Sequence, residues 1–202
     1  MRMLCLLLSW CVATNQAIAQ YKTPEERYIE KYKDFAIREM HRTGIPASIK
    51  LAQGLLESQA GFSELAQFAN NHFGIKCKKE WKGQRFFKED DDYDPNGVLT
   101  KSCFRVYPSV YDSYRDHSQF LRLRPRYQKL FQLNRTDYRA WAYGLKECGY
   151  ATDPRYPQKL IRIIEKYRLH QYDLTEPTQQ SYTPPPPVSL PQNYKPGFFA
   201  TE

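Results

Sequence analysis

Apolar residues between Tyr28 and Tyr167 recur mostly at helical spacing, with one internal stretch in which they alternate. Tyr28, Tyr32, Phe35, Ala36 and Met40 share one stripe. Thr23-Pro24-Glu25-Glu26 before them is a capping box with proline at the first helical position, and Gly44 stops the helix. Ile45-Pro46 restarts the chain into a second helix, with Ile49, Ala52, Leu55, Leu56 and Gln59 as its predicted buried face and Gly61 as its end. Ser63 caps a short helix from Glu64 to Phe68.

The alternation falls between Lys76 and Tyr107. Arg85-Phe86-Phe87 and Val98-Leu99-Thr100 flank an acidic turn containing Pro95-Asn96-Gly97, and Cys103-Phe104-Arg105-Val106-Tyr107 reads as a further strand. A small antiparallel lobe over about 76–107 is therefore expected. Helical spacing then returns with Val110, Tyr114, His117 and Leu121 behind a Ser109 cap. A short helix follows from Pro125 to Phe131, then one carrying Tyr138, Trp141, Leu145 and Cys148 that Gly149 closes. Asp153-Pro154 opens the last, with Asp153 as N-cap and Leu160, Ile161, Ile164 and Tyr167 inward. The pattern predicts an α+β domain, mainly α, with a small antiparallel β-lobe.

The two ends read differently. Met1-Arg2-Met3, the apolar run Leu4 to Ala13 and Ala17-Ile18-Ala19 form the three-part pattern of a secretory signal peptide, expected to be cut after Ala19. The run falls short of the roughly 20 apolar residues that a membrane helix needs. Trp10 before Cys11 is too large for a lipobox. Beyond Asp173, Pro184-Pro185-Pro186-Pro187 and the loss of apolar periodicity predict a disordered or extended tail over 174–202. Between them, 20–173 leaves about 150 residues, one domain by size.

Export leaves Cys77, Cys103 and Cys148 in the mature chain. Cys77 and Cys103 flank the polar excursion, so a disulfide between them would staple it, and Cys148 is expected as a buried free thiol at a helix end. No Cys/His spacing matches a zinc site and the four histidines are scattered, so no metal or cofactor is expected. A net charge of +8 and 16 tyrosines suit an anionic glycan or a nucleic acid. Export selects the glycan.

Glu57 is the sole carboxylate between Ser48 and Gly61. Desolvation on an apolar helix favours its protonated form, which donation to a glycosidic oxygen requires. Lys50, Gln53 and Gly54 share its helix face, and Gly54, one turn before it, is expected to open room for a bulky ligand.

Four blocks occur in order: Ala52-Gln53-Gly54-Leu55-Leu56-Glu57-Ser58, Asn71-His72-Phe73-Gly74-Ile75-Lys76, Phe104-Arg105-Val106-Tyr107 with Ser113, and Gly149-Tyr150-Ala151-Thr152-Asp153-Pro154. Together they resemble the glucosaminidase domain of glycoside hydrolase family 73, which includes flagellar and autolytic peptidoglycan hydrolases. The resemblance spans roughly Ile45 to Arg168. It implies a lysozyme-like fold that cleaves the β-1,4 bond between N-acetylglucosamine and N-acetylmuramic acid, with Glu57 as general acid. It also implies that Tyr150 stands near the reacting sugar, and that Asn71 and Phe73 shape the floor of the groove. Gln53 and Tyr93 join them as substrate-binding candidates. Asp92, before Tyr93 and near Asn96-Gly97, is the nearest match to the family's second carboxylate, although the family more often has glutamate there.

The expectation is thus an exported, monomeric, metal-independent peptidoglycan hydrolase, periplasmic or extracellular, acting on glycan strands without nucleic acid or membrane insertion. Two rivals stay open. A lytic transglycosylase would use the same glutamate and release an anhydro product, and a wall-binding module would keep the groove without turnover.

Overall fold

The computed structural model describes residues 21–93 and 97–177; the expected signal peptide and most of the proline-rich tail lie outside them. Helix α1 spans Pro24–Thr43. Both reciprocal bonds of the Thr23/Glu26 capping box are made, and Gly44 closes the helix at φ +86°. Helix α2, Ala47–Glu57, is buried continuously from Ala47 to Leu55. It packs against α1, α5 (Tyr138–Glu147) and α6 (Tyr156–Lys166) at the centre of the main core. Ser48, Lys50 and Gln53 are buried along with its apolar residues, so their polar groups need partners inside the core.

The N-terminus of α2 has no cap of its own, because Pro46 stands at that position. Asp173 supplies one from the 3-10 segment Leu169–Leu174, accepting from the Ser48 backbone N–H at 2.8 Å and the Ser48 hydroxyl at 2.7 Å. One carboxylate thereby satisfies an orphan backbone donor and ties the end of the domain to its central helix.

Several expectations are corrected along α2. The helix ends at Glu57 rather than Gly61, leaving Leu56 half-buried and Gln59 exposed with φ +52°. Lys50 is fully buried rather than turned outward with Glu57. Gly54 admits no ligand: a Cβ there would lie 2.6 Å from the Tyr28 hydroxyl and 2.8 Å from the Tyr114 hydroxyl. Its missing side chain lets those two rings close over the helix.

Helix α3, Glu64–Ala69, carries the Ser63 cap. The lobe has two strands, β1 Arg85–Tyr93 and β2 Leu99–Arg105, paired antiparallel, where three were expected. Val98-Leu99-Thr100 and Cys103-Phe104-Arg105 merge because one continuous strand pairs along β1, and a register shift between Glu89 and Tyr93 absorbs the mismatch. The acidic run Glu89 to Asp92 therefore lies within β1 rather than in a turn. Cys77 and Cys103 form a disulfide with Cα atoms 5.3 Å apart, and Cys148 is a buried free thiol. Phe86 and Phe104 face Leu65 and Ala69 of α3 in a second, smaller core.

Helix α4, Val110–Leu123, begins at the Ser109 cap. A 3-10 segment, Pro125–Gln132, links it to α5, which Asp137 caps. Asp153 does not cap α6, whose N-cap position is Arg155. The Asp153 carboxylate instead accepts from the Arg155 backbone N–H at 2.8 Å and pairs with Lys159 at 2.6 Å, closing the turn that leads into the helix.

Candidate active site

Between the helical body and the hairpin lies a cleft of about 880 Å³, a size that suits a ligand of a few sugar rings. Its walls come from the end of α2 (Glu57), Phe73 to Lys76, Lys88 and Asp90 of β1, His117 and Phe120 of α4, Arg124 to Arg126, and Tyr150. Five cations, Lys76, Lys78, Lys88, Arg124 and Arg126, stand against Glu57 and Asp90 on this lining. The +8 balance of the chain thus has a cationic face at the cleft.

Glu57 is exposed at the cleft, and the protein packed against the inner side of its carboxyl desolvates it in part. This desolvation holds its pKa above the ordinary carboxylate value, against the opposing pull of the Tyr156 hydroxyl and the Lys159 charge. Tyr156 donates to Glu57 Oε1 at 3.1 Å and accepts from Gln53 Nε2 at 3.1 Å. Gln53, fully buried, therefore stands behind Tyr156 rather than on the cleft wall. The sequence reasoning did not single out Tyr156. Its signal was position, four residues before Leu160 on the buried stripe of α6.

Tyr150 lines the cleft with Glu57, and its hydroxyl lies 2.9 Å from His117 Nε2. Burial and the nearby Glu57 charge keep the phenol protonated, its pKa well above the ordinary value. His117, expected only as part of the buried stripe of α4, is also a cleft residue. Its ring stacks on Phe73 with centroids 4.1 Å apart and planes 5° from parallel. Phe73 also lines the cleft.

Asn71 does not line the cleft. It is 1% exposed, and its amide bonds the Ile75 and Arg105 carbonyls and the Ile75 N–H, all at 3.0 Å. It fixes the loop that carries Phe73 to the backbone of the hairpin. Asp92 and Tyr93 belong to β1, but their side chains lie outside the described residues. Apart from Glu57, the carboxylate on the lining among the described residues is Asp90, paired with Lys76 at 2.7 Å. Among the described residues no group of three or more His, Cys, Asp or Glu is placed to hold a metal ion, and no helix is long and apolar enough to cross a membrane.

Residues 33–169 match the glucosaminidase family model, described as mannosyl-glycoprotein endo-beta-N-acetylglucosaminidase. Exo-glucosaminidase LytG of Bacillus subtilis is 39% identical over 138 residues, which cover 66% of this chain and 48% of LytG. Peptidoglycan hydrolase FlgJ of Vibrio parahaemolyticus is 31% identical over 158 residues, 76% of this chain and 50% of FlgJ. The chain spans about half the length of these curated relatives. Among solved structures, the catalytic domain of the Listeria monocytogenes autolysin Auto superposes with a TM-score of 0.69 at 29% identity, covering 77% of this chain and 91% of that one. The fold is lysozyme-like, a mainly helical body with a small antiparallel lobe. With the family model matching well over half of its residues, the chain belongs to the glucosaminidase family, glycoside hydrolase family 73.

Proposed function

We propose that this chain is an exported endo-β-N-acetylglucosaminidase that hydrolyses the β-1,4 bond between N-acetylglucosamine and N-acetylmuramic acid in peptidoglycan, with Glu57 as general acid. The observation that carries this reading is the Glu57–Tyr156 pair at an open cleft. Partial desolvation keeps the carboxyl protonated to higher pH, and the Tyr156 bond occupies Oε1, which leaves Oε2 to carry the proton toward a leaving oxygen. Once the proton has gone, the same phenol and the Lys159 charge stabilise the carboxylate. Tyr150 orients the acetamido group of the reacting sugar. Asp92 on the hairpin, or that acetamido group itself, serves the opposite face of the ring. The names of LytG and FlgJ support glucosaminidase chemistry on peptidoglycan.

Residues 20–173 are the catalytic domain in this reading, 1–19 the leader removed on export, and 174–202 a tail outside the catalytic domain. The enzyme works as a monomer on glycan strands in the periplasm or outside the cell, without nucleic acid or membrane insertion, and its basic surface holds it to an acidic wall.

The test is mass spectrometry of purified peptidoglycan digested by the mature protein and by Glu57→Gln, after borohydride reduction of new ends. Reduced N-acetylglucosamine ends from the wild type alone are expected. Anhydro ends would make the chain a lytic transglycosylase, and intact wall binding with no new ends from either protein would make it a binding module.

A further inference from the structure

Lys50 is a cation sealed inside the protein, 0% exposed. Its Nζ lies 2.9 Å from the Tyr114 carbonyl and 2.8 Å from His117 Nδ1, with the Phe73 ring 4.5 Å away. The surrounding charges are Glu39 and Arg42 of α1 and Asp116 of α4. Burial brings the Lys50 pKa down to about 7, so the ammonium persists in mildly acidic solution. The other ring nitrogen of His117 meets Tyr150 at the cleft wall. Lys50, His117 and Tyr150 thus form one line from the core to the cleft, and the proposed chemistry leaves its inner two members unused.

The donor inventory fixes the direction of that line. An ammonium donates only, so His117 Nδ1 must accept. Burial and the Lys50 charge hold the imidazole neutral, which leaves one ring proton, on Nε2. That proton is donated to Tyr150 Oη and occupies a phenol lone pair, so the phenol's own proton points away from His117, toward the cleft that Tyr150 lines and the neighbouring Tyr156 hydroxyl. In the opposite tautomer Nε2 would take the phenol proton, and Tyr150 would offer the cleft lone pairs alone. The stack on Phe73 fixes the ring plane in which this choice is made.

We infer that Lys50 is a positioning residue which, through the His117 tautomer, sets Tyr150 as a hydrogen-bond donor to an acceptor oxygen of the substrate, the class to which the acetamido carbonyl belongs. This rests on the proposed role of Tyr150 at the reacting sugar. The tautomer itself is read without substrate.

The experiment is two-bond 1H–15N correlation on 15N-histidine-labelled protein at pH 6, paired with kinetics of Lys50→Met, Tyr150→Phe and the double variant on peptidoglycan. Wild-type His117 is expected as the Nε2–H tautomer. Lys50→Met, which fills the same volume with a thioether, is expected to lose that tautomer and lower kcat about tenfold with KM within twofold. In the Tyr150→Phe background it is expected to cost nothing further, because its effect passes through the phenol. A wild-type Nδ1–H tautomer overturns the inference, as does an equal loss of kcat in both backgrounds, which would mark a structural role. Should Lys50→Met not fold, the wild-type spectrum alone decides. A chain with no activity on peptidoglycan but an Nε2–H His117 would sink the proposed function and leave the tautomer assignment standing.

Discussion

The Tyr156 hydroxyl donates to Glu57 Oε1 across 3.1 Å, joining the start of α6 to the end of α2. This bond favours the ionised carboxylate and so opposes the desolvation that raises the Glu57 pKa. Tyr156→Phe removes that opposing hydrogen bond. The basic limb of the pH profile of kcat/KM, which reports the general acid, is expected to move to higher pH. Activity below that limb should fall roughly 10-fold, since a hydrogen bond to a charged group is worth about 1.5 kcal/mol or more. A limb that stays in place or moves down would contradict the assignment of Glu57 as the acid.

A raised carboxylate pKa also has a thermodynamic sign. In the window between the unfolded and folded pKa values the native state holds more protons, so stability declines as pH rises through it. Glu57→Gln is therefore expected to melt above the wild type at pH 7, with the advantage shrinking as pH falls through that window and gone below the ordinary carboxylate range. Melting curves of both proteins from pH 3 to 8 check this. An advantage independent of pH would assign the effect to packing instead.

The Cys77–Cys103 bridge closes a separation of 26 residues around the hairpin. Chain-entropy arguments value such a bridge at about 3 kcal/mol, which for a domain of this size is a drop of about 6–12 °C in Tm. Cys77→Ser/Cys103→Ser should show that loss under non-reducing conditions, and the wild type should approach it in reductant. A double variant that melts with the oxidised wild type would mean that the hairpin contributes little to global stability.

Gly54→Ala tests whether the glycine serves packing. In an exposed helix the change would gain about 1 kcal/mol from propensity. Here the new methyl meets two buried hydroxyls that are bonded to each other at 3.1 Å, with Tyr28 bonded further to His72 at 2.8 Å, so neither ring moves freely. A net destabilisation of about 1–3 kcal/mol is expected from overpacking, read by urea unfolding. Stabilisation would instead restore the glycine as open space for a ligand.

Local rules in the sequence were enough for the frame of this protein. The Thr23/Glu26 box, the Ser63 and Ser109 caps and the Gly44 stop each involve residues within one helical turn, so the chemistry that makes them is adjacent in the chain. The apolar stripes of α1 and α4 were legible from helical spacing, and the pairing of Cys77 with Cys103 from their flanking one polar excursion; Glu57 stood out as a lone carboxylate on an apolar helix. Motif resemblance added Tyr150 and Phe73, which the fold brings to the same cleft.

Tertiary structure alone decided who meets Glu57 and what lies behind Tyr150. Tyr156 reaches Glu57 across 99 residues, Lys50 reaches His117 across 67, and Asp173 caps α2 across 125. Periodicity says which face of a helix is buried, but it does not say which side chain of another element stands opposite. Lys50 looked like a polar neighbour of Glu57 because helical spacing placed both on one face. It is buried because α2 runs through the middle of the core, where the Tyr114 carbonyl and His117 take two of its three donors and the Phe73 ring lies 4.5 Å from the ammonium. Asn71 looked like a groove residue because it sits in the same block as Phe73, and long-range backbone partners took its amide instead. The sequence carried the groups, and the packing of α2 against α4 and α6 decided which became chemistry and which became structure, since distance in space is set only once the core has closed.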